Sequence, residues 1–487
     1  MNKYMEEVLL ARLIPAPCSI KFGDAWCVIA DGLPVMLKTV SPSARLVAAA
    51  DGLCRSFWNC SPAITAVARP ESAALADEEY RIAVKPGRIE IAARGAVGVR
   101  HAFNTLRQLA EAGRGAPGAY HYVLPACLIE DAPKLPFRAV HLCIFPETPM
   151  WFVEKQLRLA AYHKFNFAII EPWGVFPFES HPEFGWREKM KSREEFRRLL
   201  DVAAECRIVP IPQFNIFGHA GMARAGTGKH AVLDLNRGME PLFEPAGWSF
   251  CLSNPETRRV LRDLVVELFT FFGRPSFFHI GCDEAYDFQT CRECAAADPV
   301  KLLSGHIGYF HELLGSMGAR VIMWHDMLLE QGDPRWKDCT ACGDARTAEL
   351  YKVLPKNIVI ADWQYFEAPK DNPDREWPTS LFFKEQGFDV AACCWMDRAA
   401  IGQLGAMAAR HRLFGMIGTT WNTNSGYRFE PMFIDAPFAA WCGRIPEKPM
   451  PLALAAHLRQ IGWDMGITEY AQTGHTPLQI ADEPFLP

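Results

Sequence analysis

From Phe137 onward, short apolar runs alternate with stretches whose hydrophobic residues recur at helical spacing. The runs that predict strands are Phe137–Phe145, Asn166–Glu171, Ile208–Ile216, Ser276–Gly281, Arg320–Trp324, Asn357–Trp363, Phe388–Trp395 and Phe414–Trp421. Between them, Trp151–His163, Arg193–Cys206, Pro255–Phe272, Leu302–Met317 and Ile401–His411 predict helices. Asn254 suits the cap of the third of these and Pro255 its first turn. Strand–helix units in this number predict an α/β fold, a (β/α)8 TIM barrel. The runner-up is an open doubly wound sheet, which normally has fewer strands and a glycine-rich first turn; no such turn follows the first strand here. The chain before Phe137 has a different rhythm. Trp26–Ala30 and Pro34–Leu37 read as strands around the turn at Asp31-Gly32. Tyr80–Val84 and Ile89–Ala92 read as a hairpin turning at Pro86-Gly87, and Gly95–Glu111 as a helix. The expected organisation is a small α+β domain over residues 1–134, with Pro125–Pro136 as linker, and a barrel domain with a C-terminal extension over 135–487. The tail after Lys448 is expected on the outside of the barrel.

Polar residues gather at the strand ends. Arg138 begins the first strand, Glu171-Pro172-Trp173 ends the second, and Gly218-His219 follows the third. His279 lies in the fourth, which ends in Asp283-Glu284. The remaining four end in Trp324-His325-Asp326, Trp363-Gln364-Tyr365, Trp395-Met396-Asp397 and Trp421-Asn422. Asp283 and Glu284 alone could simply open a helix, where acids suit the dipole. Tryptophans at so many strand ends could simply plug the top of a barrel. Together, aromatic walls beside acids and amides suit a sugar, whose C–H faces stack on rings while its hydroxyls take hydrogen bonds.

Composition narrows the classes. Hydrophobic residues make up 49%, charged residues 22%, and the net charge is -5 with no basic block, which points to neither nucleic acid nor a membrane surface. Lys3, Glu6, Glu7 and Arg12 interrupt any signal-peptide core, so a soluble, cytoplasmic protein is expected. Its 16 cysteines are scattered, several within apolar strands, which argues against a disulfide scaffold.

Glycosidases that use two carboxyl groups place them about 5–9 Å apart across the scissile bond. Adjacent carboxylates permit another division of labour on a 2-acetamido sugar. The substrate's own carbonyl oxygen attacks the anomeric carbon, Asp283 steadies the acetamide N–H, and Glu284 protonates the leaving oxygen and then activates water. A neighbouring carboxylate is expected to raise the affinity of Glu284 for its proton.

The string His279-Ile280-Gly281-Cys282-Asp283-Glu284 resembles the His-x-Gly-(Gly/Cys)-Asp-Glu motif of glycoside hydrolase family 20, the β-N-acetylhexosaminidases. With Met323-Trp324-His325-Asp326 downstream, it is most similar to the hexosaminidase D branch. Gly98–Leu109, Asp131–Arg138, Tyr162–Asn166, Pro212–His219 and Ser253–Thr257 also resemble family segments, in the family's order. The resemblance implies an exo-acting, retaining hydrolase of terminal β-linked N-acetylglucosamine or N-acetylgalactosamine that forms an oxazolinium intermediate. It requires no cofactor, and its partner is an N-acetylhexosamine-containing glycan. Asp283 would orient the acetamide and Glu284 would be the acid/base. Arg138 would bind outer hydroxyls, His219 would join the polar network, and Trp324, Trp363 and Trp421 would wall the pocket. Tyr365 would donate to the acetamide oxygen. His279 would support the pair from below or be a hydrogen-bonded core residue. The chain departs from the family along strand one, where the usual acid and second arginine are missing, and at Asn422, where many members have an acid; gluco against galacto preference stays open.

Two Cys-x-x-Cys pairs, Cys291/Cys294 and Cys339/Cys342, follow strands four and five and could hold a structural zinc or be incidental thiols. Two alternatives to the glycosidase stand: a metal-dependent barrel hydrolase using His219, His279, His325 and Asp326, and a sugar-binding relative without catalysis.

Overall fold

The eight apolar runs form eight parallel strands: Phe137–Ile144, Phe167–Pro172, Val209–Pro212, Phe277–His279, Arg320–Trp324, Val359–Trp363, Asp389–Cys394 and Gly415–Thr419. They are hydrogen-bonded in barrel order, with the first strand between the second and the eighth. The third and fourth are joined at and just past their ends by a bridge between Gln213 and His279, with Phe214 N–H donating to the His279 carbonyl at 3.1 Å and Ile216 N–H to the Ile280 carbonyl at 3.0 Å. The structure is a computed structural model, described here for residues 1–114, 120–221, 229, 232–372, 374–421 and 429–467. The predicted helices are present, including Arg193–Cys206 behind a Ser192/Glu195 capping box and Pro255–Phe271 capped by Asn254.

Strand parity decides what faces the barrel axis. Phe137 and Ala139, Ile169, Ile211, Ile322 and Trp324, Val359 and Ala361, Ala391 and Cys393, and Ile417 share one buried cluster. Below it, at the strands' N-terminal ends, Phe137, Phe167, Phe277 and Phe414 pack ring against ring at 4.5–5.9 Å. That end is an aromatic plug. Continuing the same parity to the C-terminal ends gives His141, Glu171, Gln213, Asn215, His279, Asp326, Trp363, Trp395 and Trp421. The axis thus runs from apolar to ionisable along the strands, which puts the chemistry at the mouth.

The chain divides into two units: Met1–Lys134 with Tyr162–Lys164 and the chain from Ala440, and Leu135–Ala161 with Phe165–Ala439. In the first, a mixed sheet has the order Ser19–Ile29, Tyr120–Asp131, Tyr80–Lys85, Arg88–Ala93, Pro34–Thr39, Ala63–Ala68. The hairpin at Pro86-Gly87 forms, pairing Tyr80 with Ala93 and Lys85 with Arg88. Three expectations change. Pro34–Thr39 does not pair back across Asp31-Gly32; it lies parallel to two other strands. The proline-marked linker is strand as far as Asp131, and Pro125 is tolerated beside an irregularity between Phe22 and Trp26. The helix Pro451–Asp464 belongs with the first unit rather than on the barrel's outside: His457 Nδ1 is 2.9 Å from His163 Nε2, and Arg107 makes two bonds of 2.7 and 2.8 Å to Asp464.

That unit holds a buried ion pair. Lys164 Nζ is 2.7 Å from Asp131 Oδ2, and both side chains are fully covered. Tyr80 and Trp441 donate to the same carboxylate at 2.6 and 2.8 Å. Burial would raise the Asp131 pKa, but Lys164 and these bonds hold it below the usual range. Lys164→Met should therefore strand a buried carboxylate and cost about 3–5 kcal/mol. Urea unfolding of the variant reads this directly; a loss under about 1 kcal/mol would show that the carboxylate finds other solvation.

Candidate active site

After the fourth strand the chain turns sharply. Gly281, Cys282 and Glu284 have φ of +68°, +76° and +49°, in the left-handed region. A Cβ on Gly281 would collide with the Asn215 side chain, and one on Gly218 with the Asp283 carbonyl. Non-glycine residues held there cost about 1–3 kcal/mol each and persist where their surroundings over-determine them. Here Cys282 N–H donates to Asn215 Oδ1 at 3.0 Å and Glu284 N–H to Asp326 Oδ2 at 2.9 Å. The Trp248 indole N–H donates to the Glu284 carbonyl. Asp283 is consequently turned into the interior and only 4% exposed, whereas the Glu284 side chain is 30% exposed at the mouth. Adjacent in sequence, the two carboxyl groups meet different surroundings.

His219 joins them. Its Nε2 lies 2.9 Å from Glu284 Oε2 and 3.3 Å from Asp283 Oδ2. Asp283 Oδ1 accepts from Asn215 Nδ2 and is 3.8 Å from Lys229 Nζ. Lys229 sits 2.7 Å from Glu171, which also accepts from Gln213 at 2.8 Å and contacts His141 at 3.0 Å. Burial alone would neutralise all of these groups; their partners prevent it. Burial opposes ionisation of Glu171, yet Lys229 and His141 bring its pKa down to about 2. Asp283 is likewise held low against burial by Lys229 and His219. Burial depresses the His219 pKa, but the charge of Asp283 and the bonds to both carboxylates raise it to about 9. For Glu284, burial and Asp283 do act upward, as the sequence led us to expect. The bonds from His219 and from the Tyr286 hydroxyl, at 2.7 Å, outweigh them, and its pKa is lowered. At neutral pH the spare proton therefore sits on His219, within hydrogen-bond reach of Glu284.

Comparison with known proteins follows the same lines. The pattern described as "Glycosyl hydrolase family 20, catalytic domain" matches residues 180–421, and "Glycosyl hydrolase family 20, domain 2" matches 11–132. The chain belongs to glycosyl hydrolase family 20. It is 25% identical over 311 residues to a beta-hexosaminidase of Vibrio furnissii, covering 53% of this chain and 47% of that protein. It is 24% identical over 358 residues to a beta-N-acetylhexosaminidase of Cellulomonas fimi, covering 65% and 66%. The chain thus spans about half to two thirds of the length of these curated relatives. The fold is similar to a Bacteroides fragilis beta-N-acetylhexosaminidase (TM-score 0.67, 17% identity, covering 94% of this chain and 99% of that one). It is also similar to a Flavobacterium johnsoniae chitobiase (TM-score 0.66, 16% identity, covering 98% and 74%).

The residues expected from the family 20 motif separate into two groups. Asp283, Glu284 and His219 converge as described. Trp363, Tyr365 and Trp421 form a partly exposed wall: Trp363 stacks on Tyr365 at 5.1 Å, and Trp421 Nε1 donates to the Tyr365 hydroxyl at 2.7 Å. Trp363 is pinned by its own indole N–H to Asp326 Oδ1 at 3.1 Å. Trp324 is fully buried beneath this wall, 4.4 Å from the His279 ring and 5.6 Å from Trp421, and so forms the floor. His279 is a core residue under Asp283; its Nδ1 accepts the Gly281 N–H at 3.0 Å, and burial lowers its pKa to about 3. Arg138 is not brought to the site. It lies at the strand's N-terminal end with the opposite parity to Phe137 and Ala139, and its guanidinium donates to the Leu135 carbonyl at 2.8 Å. Asn422 lies outside the described residues.

The alternative metal-hydrolase set does not converge either. His325 is buried against Asp362 and the Thr340 carbonyl, at 3.1 and 2.9 Å, while both oxygens of Asp326 hold backbone and indole N–H groups. The four-cysteine grouping is also corrected. Among the described residues, Cys291 and Cys294 gather with Cys251 and Glu244, not with Cys339 and Cys342.

Residue-by-residue reading of strand ends missed Lys229, Asn215, Gln213, His141, Tyr286 and Trp248. Parity carried along the strands would have flagged Asn215, Gln213 and His141; nothing in the sequence marks Lys229, which lies outside the strands. His219 should titrate in NMR of its ring carbons well above an ordinary histidine, near pH 9. Asp283→Asn removes its largest attraction and leaves burial and Lys229 acting downward, so the midpoint should fall to the ordinary range or below. An unchanged midpoint would refute the shared-proton description.

Proposed function

We propose that the protein is an exo-acting, retaining β-N-acetylhexosaminidase that hydrolyses terminal β-linked N-acetylglucosamine or N-acetylgalactosamine by substrate assistance. The observation that carries this reading is His219 between a closed-off Asp283 and an open Glu284, inside an aromatic mouth. The names of the relatives, beta-hexosaminidase and beta-N-acetylhexosaminidase, support the substrate class. A carboxylate nucleophile would also suit two carboxyl oxygens within 4.8 Å of each other. Asp283 suits that role poorly: it is buried, with one oxygen held by Asn215 and Lys229 and the other by His219. Held in this way it suits an acceptor for the acetamide N–H, stabilising the positive charge that develops as the substrate's carbonyl oxygen attacks the anomeric carbon.

Glu284 is the acid/base. In the free enzyme it is ionised, and a sugar seated on Trp421, with Trp324 buried beneath, would exclude water from it and raise its proton affinity. His219 then supplies the proton across the 2.9 Å contact, and Glu284 passes it to the leaving oxygen. The same carboxylate, now ionised, activates the water that opens the oxazolinium ring. Trp363, Tyr365 and Trp421 hold the acetamide and pyranose faces. No cofactor takes part, and the partner is a glycan or glycoconjugate ending in an N-acetylhexosamine. No helix among the described residues is long and apolar enough to cross a membrane. None of the sixteen cysteines is in a disulfide, which suits a reducing compartment, and a cytoplasmic location is part of the proposal.

A panel of aryl β-glycosides varying the 2-substituent and the leaving group, assayed with wild type and Glu284→Gln, tests this reading. The 2-acetamido sugars should be cleaved and the 2-hydroxy analogues should not. Glu284→Gln should lose about 10²–10⁴-fold on poor leaving groups and far less on activated ones. Equal rates for both 2-substituents would sink substrate assistance, and equal losses on both leaving groups would sink the acid role.

A further inference from the structure

Cys251, Cys291, Cys294 and Glu244 form a cluster that the proposed chemistry does not use. One ligand atom from each lies within 4.8 Å of all the others. Cys251 Sγ is 3.7 Å from Cys291 Sγ and 3.6 Å from Cys294 Sγ. Two thiolates at about 2.3 Å from one tetrahedral zinc are separated by about 3.7 Å, whereas a disulfide needs about 2.05 Å. The spacing excludes a disulfide and fits ligands around an ion.

The supporting bonds point the same way. Cys294 N–H donates to Cys291 Sγ at 3.3 Å, the kind of backbone donor that steadies a thiolate. Glu244 is 1% exposed; its Oε2 accepts from the backbone N–H groups of Cys291 and Thr290 at 2.7 and 3.0 Å. Its Oε1 is buried without a hydrogen-bond partner among the described residues, which is costly for a carboxylate unless a cation faces it. Three thiols packing as small hydrophobes would account for the sulfur separations, which are also contact distances, but not for a buried carboxylate oxygen left without a hydrogen bond beside them.

We propose that these four residues bind a structural Zn²⁺, with three thiolates and Glu244 Oε1 as ligands and three thiol protons released on binding. The site joins two loops that serve the mouth of the barrel. Glu244 and Cys251 flank a tight loop, tied by Glu244 N–H to the Ser249 carbonyl at 2.8 Å, that carries Trp248. Trp248 packs on His219 at 4.7 Å and on Tyr286 at 6.1 Å. Cys291 and Cys294 end the loop that starts at Glu284 and includes Tyr286 and Asp287, whose Oδ2 accepts the Trp248 N–H at 3.2 Å. The ion fixes the Trp248 loop against the Glu284 loop, and so positions the acid/base without touching substrate.

Metal analysis of the full chain, purified without chelator, should find about one zinc per chain. Cobalt loaded into chelator-stripped protein should show thiolate charge-transfer and tetrahedral d–d absorption. The double variant Cys291→Ser/Cys294→Ser should lose both signals and melt at lower temperature, while Cys339→Ser/Cys342→Ser keeps them. Glu244→Gln should retain the thiolate band and weaken zinc affinity by about tenfold or more in a dye competition. Should the first double variant fail to fold, cobalt titration of stripped wild type decides. Chain without zinc that takes up no stoichiometric zinc or cobalt, or metal that survives loss of Cys291 and Cys294, overturns the site. These readouts stand whether or not the protein cleaves hexosaminides.

Discussion

The site depends on one proton held between two carboxylates. Asp283 and Glu284 can both be ionised within reach of each other because His219 carries a positive charge between them and Lys229 carries another behind Asp283. Remove the cations and burial would protonate one of the acids, which would then be fixed in a single state. With them, the proton is available to Glu284 but not committed to it. The surrounding backbone bends to serve this arrangement: left-handed turns at His219, Cys282 and Glu284, with φ of 53°, 76° and 49°, aim three side chains at one point. Strain of that kind needs rigid support, which the Asn215 and Asp326 side chains give by binding backbone N–H groups.

The barrel makes the support possible. Its lower end is filled by phenylalanines and its middle by aliphatic side chains, so the polar layer rests on a packed floor instead of water. Trp324 is the boundary. It is buried in the core cluster, yet it touches His279 below Asp283 and Trp421 in the wall. Residues outside the strands then add what strands cannot reach: Lys229 behind Asp283, and Trp248 and Tyr286 against Glu284. The proposed zinc belongs to this outer tier, since two segments with so little regular structure hold their relative position poorly unless something cross-links them.

Much of this was legible along the chain. Short apolar runs separated by helical stretches predicted the barrel, and the Asp283-Glu284 pair at the fourth strand end marked the site. Other readings failed for physical reasons. Arg138 is one residue out of phase with Phe137 and Ala139, so it faces away from the axis. Pro125 suggested a linker, yet it sits in a strand where the partner is irregular and demands no donor. Cys339 and Cys342 matched a spacing rule, but Cys251, forty residues before Cys291, is the thiol that the fold brings in.

By itself, the sequence determined the alternation of strand and helix, the acids at the strand ends and the resemblance to family 20. These are local properties, carried by side-chain period and by neighbouring residues. Only the tertiary structure decided which protonation state each acid holds. Glu284 has an acid as its sequence neighbour, which alone would raise its pKa; it is lowered because His219 and Tyr286 reach it through space. Electrostatics in a buried site follows distance and desolvation, and neither can be read from the order of residues.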